Sequence, residues 1–109
     1  EQAELLPELG DIGPGANPYA ISFDAAGNLY STNSNNTISK ISPDGITVTQ
    51  AWATLAASSN PQFMVFDATG NMYVSCWGTS TVSKINSSGT VTDVWSLGTS
   101  VWPAGIVLD

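Results

Sequence analysis

An eight-residue pattern that returns at nearly fixed intervals constrains this chain more than any other feature. Asn17-Pro18-Tyr19-Ala20-Ile21-Ser22-Phe23-Asp24 recurs 43 residues on as Asn60-Pro61-Gln62-Phe63-Met64-Val65-Phe66-Asp67, and 42 further on as Trp102-Pro103-Ala104-Gly105-Ile106-Val107-Leu108-Asp109. Behind the first two copies follow Gly27-Asn28-Leu29-Tyr30 and Gly70-Asn71-Met72-Tyr73, then Thr37-Ile38-Ser39-Lys40-Ile41 and Thr81-Val82-Ser83-Lys84-Ile85. A last block, Gly45 to Trp52, faces Gly89 to Trp95. Self-similarity of this period marks a repeat architecture, in which one unit cannot bury its own apolar surface and must pack on the next.

Each repeat consists of four short runs rich in Val, Ile, Thr, Tyr, Phe and Trp, separated by clusters such as Asp24-Ala25-Ala26-Gly27-Asn28 and Ser42-Pro43-Asp44-Gly45. β-branched and aromatic residues between Asp, Asn and Gly turns are strand chemistry, and no 3.6-residue apolar period survives. The runs predict strands at about 19–23, 28–32, 37–41 and 47–54, then at about 62–66, 71–76, 81–85 and 90–96. A further outer strand is expected before Pro7 and a last inner strand near 103–108. Asp-x-x-Gly-Asn at 24–28 and 67–71 reads as a tight hairpin turn, with Gly supplying positive φ and Asp binding nearby amides.

A four-stranded antiparallel unit recurring every 42 to 44 residues is the pattern of β-propeller blades. The expected fold is therefore all-β, about two and a half blades, incomplete as a closed ring. Residues 1–16 form an N-terminal segment that could supply the outer strand of a preceding blade; 17–59 are blade repeat 1, 60–101 blade repeat 2, and 102–109 the inner strand of a third. The first strand of each unit is the most apolar, as suits a position lining the crowded axis. Trp52 and Trp95 fall at matching positions in the fourth strand, where large side chains can cover the gap between blades. In the residues just quoted the chain resembles NHL-type repeats and the virginiamycin B lyase group of propellers, from Asn17 onward. That resemblance is specific for fold and weak for function, because the architecture hosts lyases, lactonases, lectins and scaffolds. For its lyase members it implies His and acidic groups around a divalent metal. This chain has no His, so that role passes to no residue here.

Composition closes off other functions. With two cations, Lys40 and Lys84, against nine acids, the net charge is -7. Nucleic-acid binding and attraction to anionic membranes both draw on clustered cations, so neither partner is expected. One cysteine, Cys76, and no His leave no triad, zinc site or redox pair within the chain, and no cofactor or metal is expected. No run reaches the roughly 20 apolar residues of a membrane span, so no membrane insertion is expected. The first residues show no basic, apolar leader.

Candidate residues each carry two readings. Asp24, Asp67 and Asp109 could form a metal or acid/base set; as members of a repeated turn they read first as structural. Repeat 2 departs from repeat 1 at Ser75-Cys76-Trp77-Gly78-Thr79-Ser80, one residue longer and aromatic. Trp77 there could stack on a sugar, or pack on a neighbouring blade or subunit, and the second reading is favoured. Trp52, Trp95, Trp102 and Trp77 are thus the candidate ligand or interface residues. Cys76 reads as a buried inert thiol, and the two lysines as edge-strand charges that discourage wrong pairing. Asn35 and Asn86 head N-glycosylation patterns in turns.

Two blades leave two sheet faces in need of cover, and the chain is expected to begin and stop inside blades with open strand edges. The leading expectation is a non-catalytic extracellular or cell-surface module that assembles, as ring or filament, with copies of itself or with the rest of a longer propeller. A lectin-like glycan-binding module and a fragment of a propeller lyase or lactonase are the alternatives.

Overall fold

In a computed structural model the described residues, 17–98, form two four-stranded antiparallel sheets. The first contains β1 (Pro18–Phe23), β2 (Leu29–Asn33), β3 (Thr37–Ile41) and β4 (Val48–Thr54) in that order. The second contains β5 (Pro61–Phe66), β6 (Met72–Cys76), β7 (Thr81–Ile85) and β8 (Val91–Ser96). Every strand start and end lies within one residue of the sequence expectation. The expected strands before Pro7 and near 103–108, and Trp102, lie outside the described residues.

The recurring Asn-Pro at the head of each unit has a local cause. Asn17 and Asn60 sit at φ 40° and 49°, a region L-residues other than Asn, Asp and Gly rarely enter. Pro18 and Pro61 then open β1 and β5, the strand position where a missing N–H costs least. A bulge follows in both strands, between Pro18 and Ala20 and between Pro61 and Phe63. A hydroxyl from the next strand fills it: the Ala20 amide donates to Thr32 Oγ1 at 3.1 Å, and the Phe63 amide to Ser75 Oγ at 3.2 Å.

Strand alternation gives each sheet two faces, and the core lies where they meet. Tyr30, Ile38, Ala53 and Leu55 of the first blade form one cluster with Met72, Val74, Cys76 and Ile85 of the second, flanked by Trp52, Met64, Phe66 and Val91. Ile38, Met72, Val74 and Ile85 are fully buried, and such side chains each contribute about 1.5–3 kcal/mol of transfer free energy. Polar bonds fix the two sheets in register: Thr32 Oγ1 donates to the Gln62 carbonyl at 2.9 Å, and the Asn60 amide to Asn36 Oδ1 at 2.9 Å. A left-handed turn completes the contact, since Gly89, at φ +85°, lies so close that a Cβ there would stand 2.4 Å from the Trp52 carbonyl oxygen.

The apolar first strands differ in environment. Tyr19, Ile21 and Phe23 of β1 are 60%, 64% and 62% exposed, whereas their repeat counterparts Gln62, Met64 and Phe66 are buried or half-buried. Position, not residue type, makes this difference: β5 has the first blade beneath it.

Gly89 and Gly70 separate two costs. Both hold positive φ, but a Cβ at Gly70 meets nothing within 4 Å. Gly70→Ala is expected to cost the left-handed penalty alone, about 1–2 kcal/mol. Gly89→Ala adds a clash with Trp52 and is expected to lower stability further; urea unfolding of the two variants checks this, and equal midpoints would count against the close approach.

Candidate functional site

Of the repeated carboxylates, Asp109 lies outside the described residues, and Asp24 and Asp67 are turn residues with both oxygens engaged. Asp24 Oδ1 accepts from the amides of Ala26 (3.0 Å) and Asn28 (2.9 Å), while Oδ2 accepts from Asn28 Nδ2 (2.9 Å) and the Tyr30 hydroxyl (2.9 Å). Asp67 repeats this with Thr69, Asn71 and Tyr73. Partial burial opposes ionisation of Asp24, but the bonds from Asn28, Tyr30 and Ala26 outweigh it and hold the carboxyl below its usual range. For Asp67 too desolvation opposes ionisation, but the bonds from Asn71, Thr69 and Tyr73 together outweigh it and hold the carboxyl well below its usual range. Tyr30 shows the converse: burial first, then its bond to the Asp24 carboxylate, push the phenol up. The two turns border a depression of about 270 Å³ with Phe66, yet among the described residues no group of three or more His, Cys, Asp or Glu is placed to hold a metal.

Each turn aspartate also anchors a tyrosine that carries the blade face. Tyr30 packs edge-on to Trp52 with centroids 4.9 Å apart, and against Phe66 of the next blade at 5.0 Å. Tyr73 stacks on Trp95 at 6.3 Å. The two tryptophans share this role while differing in ladder position. Trp95 partners Val82, whereas the counterpart of Val82, Ile38, partners Ala53. An irregularity between Ile38 and Lys40 shifts β4 relative to β3. Trp52 is half-buried at the blade junction and Trp95 is 46% exposed.

The lysines need a correction. Lys40 and Lys84 stand on β3 and β7, third of four strands and paired on both sides, Lys40 with Tyr30 and Thr49 and Lys84 with Tyr73 and Asp93. They therefore do not guard an edge. Each ammonium lies over the tyrosine across the ladder, 5.9 Å and 5.8 Å from the ring centroid, a cation–π contact. The order of the runs already implied a third, interior strand, against the edge reading; what spacing hid is the ring beneath each lysine.

The repeat-breaking loop is tied down through its backbone. The Trp77 amide donates to the Asn60 carbonyl at 3.1 Å and the Gly78 amide to the Ser59 carbonyl at 2.9 Å. A Cβ at Gly78 would stand 2.0 Å from the Ser58 oxygen, so only glycine passes there. The Trp77 side chain is 43% exposed. Cys76 beside it is fully buried, 3.8 Å from Ser83 Oγ, and burial pushes its thiol up. Of the glycosylation candidates, Asn35 is exposed, while Asn86 Oδ1 caps its turn by accepting from the Ser88 and Thr90 amides.

One depression has mixed chemistry. Asn28, Lys40, Ser42, Thr47, Thr49 and Trp52 line about 300 Å³ on the first blade. Two of its side-chain polar atoms are already committed to turns: Asn28 Nδ2 to Asp24, and Ser42 Oγ to Asp44 and the Thr47 amide.

Comparison with solved structures fixes the architecture. Virginiamycin B lyase from Staphylococcus aureus superimposes with a TM-score of 0.75 at 20% identity, covering 87% of this chain and 32% of that one. A streptogramin B lyase gives 0.74 at 22%, covering 85% and 31%. A catalytically inactive histidine-to-alanine form of the Staphylococcus aureus enzyme with Quinupristin gives 0.69 at 24%, covering 80% and 29%. The fold is that of β-propeller blades. At these identities the likeness carries fold alone, and the chain spans about a third of the length of these propellers. No family model matches the sequence, and no curated protein matches it.

What sequence reasoning missed at the blade faces is the pairing of Tyr30 with Trp52 and of Tyr73 with Trp95, and the equivalence of Leu55 with Leu97. The equivalence shows in the hydrogen bonds, the Leu55 amide donating to Asn36 O and the Leu97 amide to Ser80 O, both at 2.8 Å; its sequence signal is that each leucine follows its tryptophan by two or three residues.

The depressed carboxyls set an acid limit. A folded pKa below the unfolded value near 3.9 gives stability that is present above that value and lost as pH falls through the folded one. The thermal midpoint is expected to drop below about pH 4. Asp24→Asn should lower the midpoint at pH 7 by roughly 4–8 °C, the effect of about 1 kcal/mol in a domain this size, and flatten the acid limb. Calorimetry from pH 7 to 2 checks both; parallel curves for variant and wild type would remove the linkage.

Proposed function

We propose that this chain is a non-catalytic propeller module whose work is blade-to-blade assembly, with copies of itself or with the remaining blades of a longer propeller, at an extracellular or cell-surface location. One observation carries the reading: residues buried at the junction between the two blades have repeat counterparts that are exposed at the far sides. Leu55 is 6% exposed and Leu97 41%; Met64 and Phe66 are half-buried while Ile21 and Phe23 are 64% and 62% exposed. Exposed apolar surface of this kind marks interaction sites. The neutral Ser, Thr and Asn surface and the placement of Asn35 in an exposed turn favour the extracellular setting.

The lyase neighbours favour a second reading, in which the module is part of a propeller lyase. Histidine matters to the inactive variant named above, and this chain has none, so catalytic groups would come from outside these residues. The lectin reading is carried less well, because the hydroxyl- and amide-lined depression holds Trp52 and not the loop residue Trp77.

Two copies joined in tandem by a flexible linker are expected to unfold at a higher temperature than the single chain, because the joint buries apolar faces that one copy exposes. An unchanged midpoint would overturn the assembly reading. Incubation with Quinupristin is expected to leave it intact by mass spectrometry, and turnover would overturn the non-catalytic part.

A further inference from the structure

A cleft of about 250 Å³ lies between the two blades at their outer strands. Residues leading out of β4, Thr54 to Ala56, form one wall, and Ser83 of β7 with Val91 and Val94 of β8 form the other. Thr54 and Val94 are exposed and open it to solvent, while Leu55 and Ser83 are 6% and 4% exposed. Both walls belong to one chain, so the cleft does not depend on what covers the outer flanks of the pair.

Its chemistry narrows what it can hold. No lining side chain is charged, and Leu55, Ala56, Val91 and Val94 give apolar walls. Three of the lining hydroxyls are bound already: Ser59 Oγ donates to the Ala56 carbonyl at 2.6 Å, and the hydroxyls of Thr79 and Thr81 bond each other at 2.8 Å. Ser83 differs. Its partner is the Cys76 thiol at 3.8 Å, and sulfur is a weak donor and a weak acceptor. The counterpart in the first blade, Ser39, is equally buried but donates to the Gln50 carbonyl at 2.6 Å, at a ladder irregularity between Ile38 and Lys40. In the second blade the irregularity has moved past Lys84, and Ser83 keeps a regular ladder partner in Val94. Its hydroxyl is thus left beside the cleft with a thiol where Ser39 has a carbonyl, and a buried hydroxyl in that position gains from any oxygen the cleft admits.

We infer that this cleft is a binding site for a small neutral organic molecule with an apolar body and one hydrogen-bonding oxygen, an alcohol or carbonyl compound, whose oxygen meets Ser83 Oγ while Leu55, Val91 and Val94 enclose the rest. Sites of this kind are concave, mostly apolar and carry few polar groups. An apolar cavity of about 150 Å³ admits benzene, so one of about 250 Å³ suits a guest of roughly ten non-hydrogen atoms. An ionised guest would lose its hydration with no opposite charge to meet.

The test is a titration of the full chain with 2-phenylethanol, followed through backbone amide resonances, with ethylbenzene and benzoate as comparison probes. Saturable shifts are expected at Leu55, Ser83 and Val91, and none with benzoate. Ser83→Ala should bind 2-phenylethanol about 2–10-fold more weakly, the effect of one neutral hydrogen bond, yet bind ethylbenzene, which offers Ser83 no partner, as well as wild type does. Val94→Phe and Ala56→Phe fill the cleft from exposed positions, and either one, once circular dichroism shows it folded, should lose binding. No saturable shift at these residues up to the solubility of 2-phenylethanol would overturn the site and leave a cleft that holds water only. Binding that survives in a folded, filled variant would overturn it as well. Equal affinity of wild type and Ser83→Ala for 2-phenylethanol, an equal loss for both neutral probes, or saturable binding of benzoate would overturn the ligand class.

Discussion

A propeller blade is a sheet with two working faces, and neither can stay in water without cost. Everything else in this chain follows from the way one face of the first blade meets the opposite face of the second. The eight buried residues of the cluster at the joint come four from each blade, so the main core is shared between the blades. The four-stranded ladder supplies backbone hydrogen bonds, but the apolar burial that offsets conformational entropy is shared across the joint. The folding of each blade and its pairing with the other are therefore one property here.

The turns reach into that joint. Asp24 closes the β1–β2 hairpin through the Ala26 and Asn28 amides and, with its other oxygen, accepts from Tyr30. Tyr30 is also the residue on which Trp52 and Phe66 converge. A carboxylate that looks local in sequence thus orients the ring around which two blades pack, and its ionisation is tied to that packing. This accounts for Asp and Tyr recurring six residues apart in both units, and it explains why Asp24 and Asp67 are spent as hydrogen-bond acceptors and offer little to a ligand.

Most of the architecture was legible because repetition supplies an internal check: turn clusters, strand runs and apolar positions had to agree between two copies. The strand ends, the Asx turns and the buried Cys76 followed from residue type and local spacing. Contacts between strands did not. Lys40 was read as an edge charge although its run is the third of four, and the Tyr30 ring beneath it is visible only once β2 and β3 are aligned. Trp52 and Trp95 match in sequence and in face, yet occupy different ladder steps, because bulges in β4 and β8 fall at different points. Bulges are set by packing and leave little trace in composition.

The two flanks are not perfect copies of the internal joint, and the difference bears on strength. Where the second blade presents Val74 and Cys76 to the first, the corresponding positions of the first blade hold Ser31 and Asn33. These form a buried network: Ser31 Oγ donates to Asn33 Oδ1 at 3.0 Å, and Asn33 Nδ2 donates to Ser39 Oγ at 2.9 Å and to Thr37 Oγ1 at 3.0 Å. Every polar atom in it is satisfied within the sheet, so covering it gains little desolvation free energy and costs no broken bond. Apolar gain at this flank is concentrated on β1, in Ile21 and Phe23. A joint built there buries less apolar surface than the internal one. The pairing of the two blades inside the chain, apolar from both sides, therefore carries the larger apolar gain.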